Sequence, residues 1–159
     1  WGLWGETWHR VREYYQDSRL DGCQRTDEEH YAALEALAAE ENIEAVVVDP
    51  SAASFIECIR RHGRYRVIPA KNEVLDGIRL VSDLLRQGRL IFSPVCADTV
   101  REFGLYRWAG DGAKDAPRKE NDHAMDDIRY FVATVVHSPG DGFFALAAPR
   151  VSGSCFERR

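Results

Sequence analysis

The 159-residue chain contains no CxxC pair, and its four cysteines (Cys23, Cys58, Cys96 and Cys155) are widely spaced. That spacing argues against a cysteine-built zinc site or a disulfide framework and for free thiols. No apolar run approaches the ~18 residues a membrane helix needs, and no signal-peptide pattern is present. No membrane partner and a cytoplasmic setting are therefore expected. Internal repeats are absent. So is a Walker A phosphate loop, which excludes an ATPase of that type within these residues. Basic excess is missing too: the net charge is -5, whereas a dedicated nucleic-acid binder is usually basic. The acidity weighs only weakly against DNA, because a nuclease working through bound cations needs carboxylates and the metal offsets their charge locally. The chain opens on Trp1 rather than methionine, which suggests a processed product, an excised domain or a truncated reading frame.

What is present is an ordinary globular composition, 45% hydrophobic and 30% charged, of a length that fits one domain. Residues 7–16 alternate aromatic and β-branched side chains and predict a strand, with WGLWG ending another strand before it and a polar loop over 17–25. Thr26, three residues before Glu29, predicts a capping box opening a helix to about Glu41, with Tyr31, Leu34, Leu37 and Ala38 on its stripe. IEAVVVD, 43–49, carries an unbroken apolar run, the pattern of a central strand covered on both faces. A helix from Ser51 to a glycine cap at Gly63, a strand over 66–70, a helix from Glu73 to Gln87, a strand over 89–92 and a helix over 95–108 follow. After a polar loop at 110–120, a helix runs from Asn121 to about His137. Strands alternating with helices make this an α/β protein with a partly parallel sheet.

Two acidic positions stand out. Asp49 ends the most hydrophobic strand, at the edge where open α/β sheets bind ligands; on this feature alone, capping of the helix from Ser51 is the favoured reading. In N-D-H-A-M-D-D, the helical wheel buries Ala124, Met125, Ile128, Phe131, Val132 and Val135 and sets Asp122, His123 and Asp126 on the flank. Carboxylate and imidazole three residues apart are neighbours and can bind Mn²⁺ or Mg²⁺; acids near a helix N-terminus are also favourable with no ligand at all. The basic run Arg60–Arg66 suits either a DNA backbone or a solvated helix end. Trp1, Trp4 and Trp8 read as strand packing.

Together, V-V-D-P-S-A-A-S-F-I, A-K-N-E-V-L-D-G-I-R, E-F-G-L-Y-R-W and P-R-K-E-N-D-H-A-M-D-D-I-R-Y, with V-R-E-Y-Y-Q-D-S-R and Q-R-T-D-E-E-H-Y upstream, resemble the large terminase subunits of tailed phages and prophages, of the PBSX-like type. The resemblance covers about residues 1–136. It implies the C-terminal nuclease domain of such a subunit, an RNase H-like mixed sheet flanked by helices, spanning 1–137, with 138–159 as a tail that adds no support. It further implies a DNA endonuclease cutting concatemeric viral DNA in the host cell cytoplasm, with Asp49, His123 and Asp126 catalytic. Asp49, Asp126, His123 and Asp122 would hold Mn²⁺ or Mg²⁺. Double-stranded DNA, the terminase small subunit and the portal protein would be partners. The family's first acid lies on a strand before G-L-W-G. With G-L-W-G at residues 2–5, that first strand is expected to be missing and cleavage in isolation to be weak. The competing expectations are a non-catalytic DNA- or portal-binding packaging module and a different RNase H-like nuclease of the junction-resolving kind.

Overall fold

A computed structural model describes residues 1–17, 22–39, 41–110 and 116–137. Strand β1 (Gly2–Trp4) turns through Gly5, whose φ of 62° suits glycine, into antiparallel β2 (Thr7–Arg10). Helix α1 (Asp27–Ala38), strand β3 (Val46–Val48), helix α2 (Ala53–His62) and strand β4 (Val67–Pro69) form one βα unit, with β3 parallel to β4. Helix α3 (Val74–Arg86) leads to β5 (Leu90–Phe92), which lies parallel to β2. Helix α4 (Ala97–Leu105) and helix α5 (His123–Phe131) complete the described elements, and α5 loosens into a π-helical turn at Val132–Val136.

The expected α/β architecture with a mixed sheet is present: β1-β2-β5 holds one antiparallel and one parallel pairing. The tail 138–159 and Cys155 lie outside the described residues; Cys23, Cys58 and Cys96 are free thiols, as expected. Three expectations need correction. The strand expected over 7–16 stops at Arg10, because Glu13 and Tyr15 turn their side chains onto α4 instead of pairing. The run 45–48 is not a doubly covered central strand among the described residues: β3 pairs with β4 alone, and only Val48 is buried. Helix α4 ends at Leu105, not near Trp108, since Tyr106 is extended.

Local signals account for the helices. Thr26 accepts from the Glu29 N–H while the Glu29 carboxylate takes the Thr26 N–H at 2.8 Å, the reciprocal pair of a capping box. Gly63 ends α2 at φ 69°, where a side chain would be strained. Two helices are instead capped from a distance. Glu13 accepts from the Asp98 N–H (2.7 Å), the Thr99 N–H (3.1 Å) and Thr99 Oγ1 (2.7 Å) at the start of α4. Glu102, fully buried on α4, accepts from the Ala124 N–H (2.7 Å) at the start of α5 and from Tyr15 Oη (2.6 Å). These bonds satisfy donors that a helix start otherwise leaves orphaned.

Two apolar clusters form. One joins Tyr31, Val48, Ile56, Cys58, Ile59 and Tyr65 between α1, α2 and β3. The other joins Leu84, Leu90, Ala124, Met125, Ile128, Phe131 and Val132. The expected buried stripe of α5 is thus the centre of the second cluster. Trp1 stacks on Phe131 with centroids 4.4 Å apart, and Trp8 meets the same ring edge-on at 5.0 Å, so the packing role read for these tryptophans holds. Trp4 instead sits edge-on to His9 and is half-exposed.

Candidate functional site

Helix α5 lies beside β3, and one side-chain bond ties them. Tyr130 Oη donates to Asp49 Oδ2 at 2.6 Å, while Asp49 Oδ1 accepts the Ser51 N–H at 2.8 Å. Asp49 therefore closes a turn ahead of α2 rather than capping it: the N-cap is Ala52, with no side-chain cap bond. The Tyr130 bond, then the Ser51 N–H, hold the Asp49 carboxyl below its ordinary range against the opposing effect of burial.

Asp126 stands four residues before Tyr130, one turn away on the same helix face. Burial, then the bond to Asp49, then the charges of Asp126 and Asp49 push the Tyr130 hydroxyl up to about 12. Tyr130 thus reaches Asp49 from the helix that also carries Asp126, one turn earlier.

Asp126 is fixed in turn by Arg129, a buried residue whose Nη2 donates to Asp126 Oδ1 at 2.7 Å and whose Nη1 donates to the Asn72 carbonyl at 2.7 Å. Room for the Arg129 stem comes from Gly77 on α3: a Cβ there would meet Arg129 Cδ at 2.7 Å and Cγ closer still. Asp122 is the N-cap of α5 yet makes no side-chain cap bond. With Glu102 capping in its place, the Asp122 carboxylate faces Lys119 instead. Lys119 Nζ lies 3.6 Å from Asp122 Oδ2 and 3.6 Å from Asp126 Oδ2, so one cationic group already sits between two of the expected ligands.

His123 is exposed, with its ring 6.1 Å from that of Tyr15. The ligand atoms of Asp49, His123 and Asp126 do not gather within 4.8 Å of one another; among the described residues the trio that does is Glu28, Cys58 and His62. Of the basic run, Arg61 pairs with Glu28 and Arg64 with Glu35, while Arg60 and Arg66 are exposed. A shallow cleft lined by Tyr106, Arg107, Arg118, Glu120 and Asn121 opens beside the start of α5. Burial, then the Asp126 charge, raise the Tyr106 hydroxyl to about 12.

Sequence reasoning missed Tyr130, Arg129 and Lys119. The i, i+4 spacing of Asp126 and Tyr130 was a usable signal; nothing local marked Arg129 as a bracket or Lys119 as a bridge.

The donor set of Asp49, Asp122 and Asp126 is carboxylate oxygen, with an imidazole beside it, which suits Mg²⁺ or Mn²⁺. By residue type the set suits such a cation, but its ligand atoms are not gathered as they stand, and Lys119, 70% exposed at its side chain, sits between Asp122 and Asp126.

No family model matches the chain. Over 136 residues it is 25% identical to the terminase large subunit of Escherichia phage T5, covering 82% of this chain and 30% of that protein. Structures of the large terminase of the thermophilic bacteriophage D6E, in complex with ADP and with ATP-gamma-S, each align with a TM-score of 0.83 and 41% identity, over 87% of this chain and 36% of theirs. The chain spans about a third of the length of these relatives.

Proposed function

We propose that this chain, a homologue of the phage terminase large subunits, is the part of such a subunit that carries a metal-dependent DNA endonuclease site, built on Asp49, Asp126, His123 and Asp122. One observation carries the reading: the Tyr130–Asp49 bond of 2.6 Å joins the strand acid to the helix face that bears Asp126. Asp49, Asp126 and Asp122 would hold Mn²⁺ or Mg²⁺, with His123 at the margin. Bound there, the cation supplies neutralisation of charge on the attacking and leaving oxygens of a phosphodiester.

The chain's own residues do the rest. Tyr130 and the Ser51 N–H orient the Asp49 carboxylate, and Arg129 orients Asp126. His123, open to solvent, would accept or return a proton at the nucleophilic water or the leaving oxygen. Arg107 and Arg118 line the adjoining cleft, where they suit backbone phosphates. On this reading the domain covers residues 1–137 and cuts concatemeric viral DNA in the host cell cytoplasm. It would act on double-stranded DNA alongside the terminase small subunit and the portal protein.

A second reading has its own support. Both Asp49 oxygens already accept protein donors, and Asp122 and Asp126 share Lys119, so the acids are satisfied without a metal. That favours a non-catalytic module binding DNA or the portal. Nicking of supercoiled plasmid in Mn²⁺ separates the two. The assay compares the chain alone with the chain preceded by an acid-bearing first strand of the family kind. Activity in either form that disappears in both Asp49→Ala and Asp126→Ala supports the nuclease. No activity in either form, with Mn²⁺ affinity unchanged by the two substitutions, supports the passive module.

A further inference from the structure

A second ligand set lies at the first apolar cluster, to which Cys58 belongs, on residues the proposed nuclease does not use. Cys58 and His62 are four apart on α2, so their side chains share one helix face. Glu28, from the first turn of α1, comes up against both. The three ligand atoms, a sulfur, an imidazole nitrogen and a carboxylate oxygen, all lie within 4.8 Å of one another. We propose that Glu28, Cys58 and His62 form a zinc-type site that clamps α1 to α2, with water as the fourth ligand.

The chemistry selects the metal. A thiolate with an imidazole favours Zn²⁺ over Mg²⁺ or Ca²⁺, which take oxygen. Three protein ligands and an open fourth position is an established zinc arrangement. Zinc holds sulfur at about 2.3 Å and nitrogen or oxygen at about 2.0–2.1 Å, which sets ligand atoms roughly 3.5 Å apart around a tetrahedral ion. The present trio needs only a small side-chain adjustment to reach that. Glu28 is the member able to make it, being exposed, while the Cys58 residue is fully buried.

The surroundings are arranged as a zinc site's would be. His62 Nε2 and Glu28 Oε2 are 2.8 Å apart, a hydrogen bond that a bound cation would replace. Arg61 Nη2 holds the other Glu28 oxygen at 3.1 Å, which orients the carboxylate as outer partners of metal ligands do. The Tyr31 ring stacks on His62 at 3.7 Å and 6° and fixes the imidazole plane. Burial, then the neighbouring Glu28, raise the Cys58 thiol; binding would release its proton to solvent, making affinity rise with pH.

Cobalt substitution tests this on the full chain. One equivalent of Co²⁺ is expected to produce a thiolate-to-cobalt charge-transfer band, displaced by Zn²⁺. The band should vanish in Cys58→Ser. Glu28→Gln, at an exposed position, and His62→Gln, which also loses the ring stacked on Tyr31 and is checked for folding by circular dichroism, should each weaken binding at least about tenfold. Cys23→Ser and Cys155→Ser should keep the band, and so should Asp126→Ala, which separates this site from the proposed nuclease metal. Absence of a thiolate band, or a band indifferent to Glu28→Gln and His62→Gln, overturns the proposal and leaves an ordinary ion pair beside a buried thiol.

Discussion

Replacing Gly77 with alanine tests how the helix acid is held. In an exposed helix interior Gly→Ala stabilises by about 1 kcal/mol, through backbone entropy. Here the new methyl would enter the space of the Arg129 stem, 2.7 Å from Cδ. Arg129 is only 3% exposed, so the stem has nowhere to swing. Overpacking of this kind costs about 1–3 kcal/mol. Pushing the guanidinium also strains its bonds to Asp126 and the Asn72 carbonyl, and bonds to charged groups contribute about 1.5–3 kcal/mol each. Even partial loss outweighs the propensity gain. Gly77→Ala is therefore expected to destabilise by about 1–3 kcal/mol, a fall in Tm of roughly 3–10 °C for a chain this size. Urea unfolding of a double-mutant cycle is the assay. In an Arg129→Ala background the obstruction is gone, and Gly77→Ala should instead stabilise by up to about 1 kcal/mol, a coupling of about 1–4 kcal/mol. Net stabilisation in the parent chain, or additivity in the cycle, would refute the bracket.

Glu102→Ala should cost at least about 2 kcal/mol in urea unfolding, since it orphans the buried Ala124 N–H and removes the acceptor of Tyr15 Oη; Glu102→Gln, which keeps one acceptor, should cost less. Tyr130→Phe is expected to lower stability by about 1 kcal/mol by the same measurement, and to loosen Asp49 without moving the helix. The Glu29 carboxyl is lowered, first by the Thr26 N–H and then by the Thr26 hydroxyl. Its contribution is therefore present above the unfolded-state pKa and lost as pH falls through the lower folded value. Amide exchange at the start of α1 should quicken over that acid window; Glu29→Gln should remove the pH dependence there, and Thr26→Ala, which keeps the backbone N–H, should only weaken it.

The helices were legible because their signals are local. The Thr26–Glu29 box, Gly63 and the apolar face of α5 each lie within a few residues, and the structure has them as read. The strands were not. Val11 to Tyr15 alternate like a strand, yet Glu13 and Tyr15 are bound to α4, some 85 residues on. Val46 and Val47 look like interior strand residues but are only half-buried beside a single neighbour, β4. Asp49 and Asp126 could be chosen as acids from strand end and helix start, but their association depends on Tyr130, and the position of Asp126 on Arg129 and Gly77. Those are contacts between elements, which no periodicity encodes. The grouping of Cys58, His62 and Glu28 was not read at all: the cysteine spacing argued for free thiols, and Glu28 comes from another helix.

Asp49 leaves the strand seated in one apolar cluster, and Tyr130 lies between Ile128 and Phe131 of the other. The phenol is thus a bolt across a seam. Two further bonds, from the Lys71 N–H to Thr134 Oγ1 and from Arg129 to the Asn72 carbonyl, fasten the same helical segment to the chain after β4, so any slip along the seam must break polar contacts as well as apolar ones.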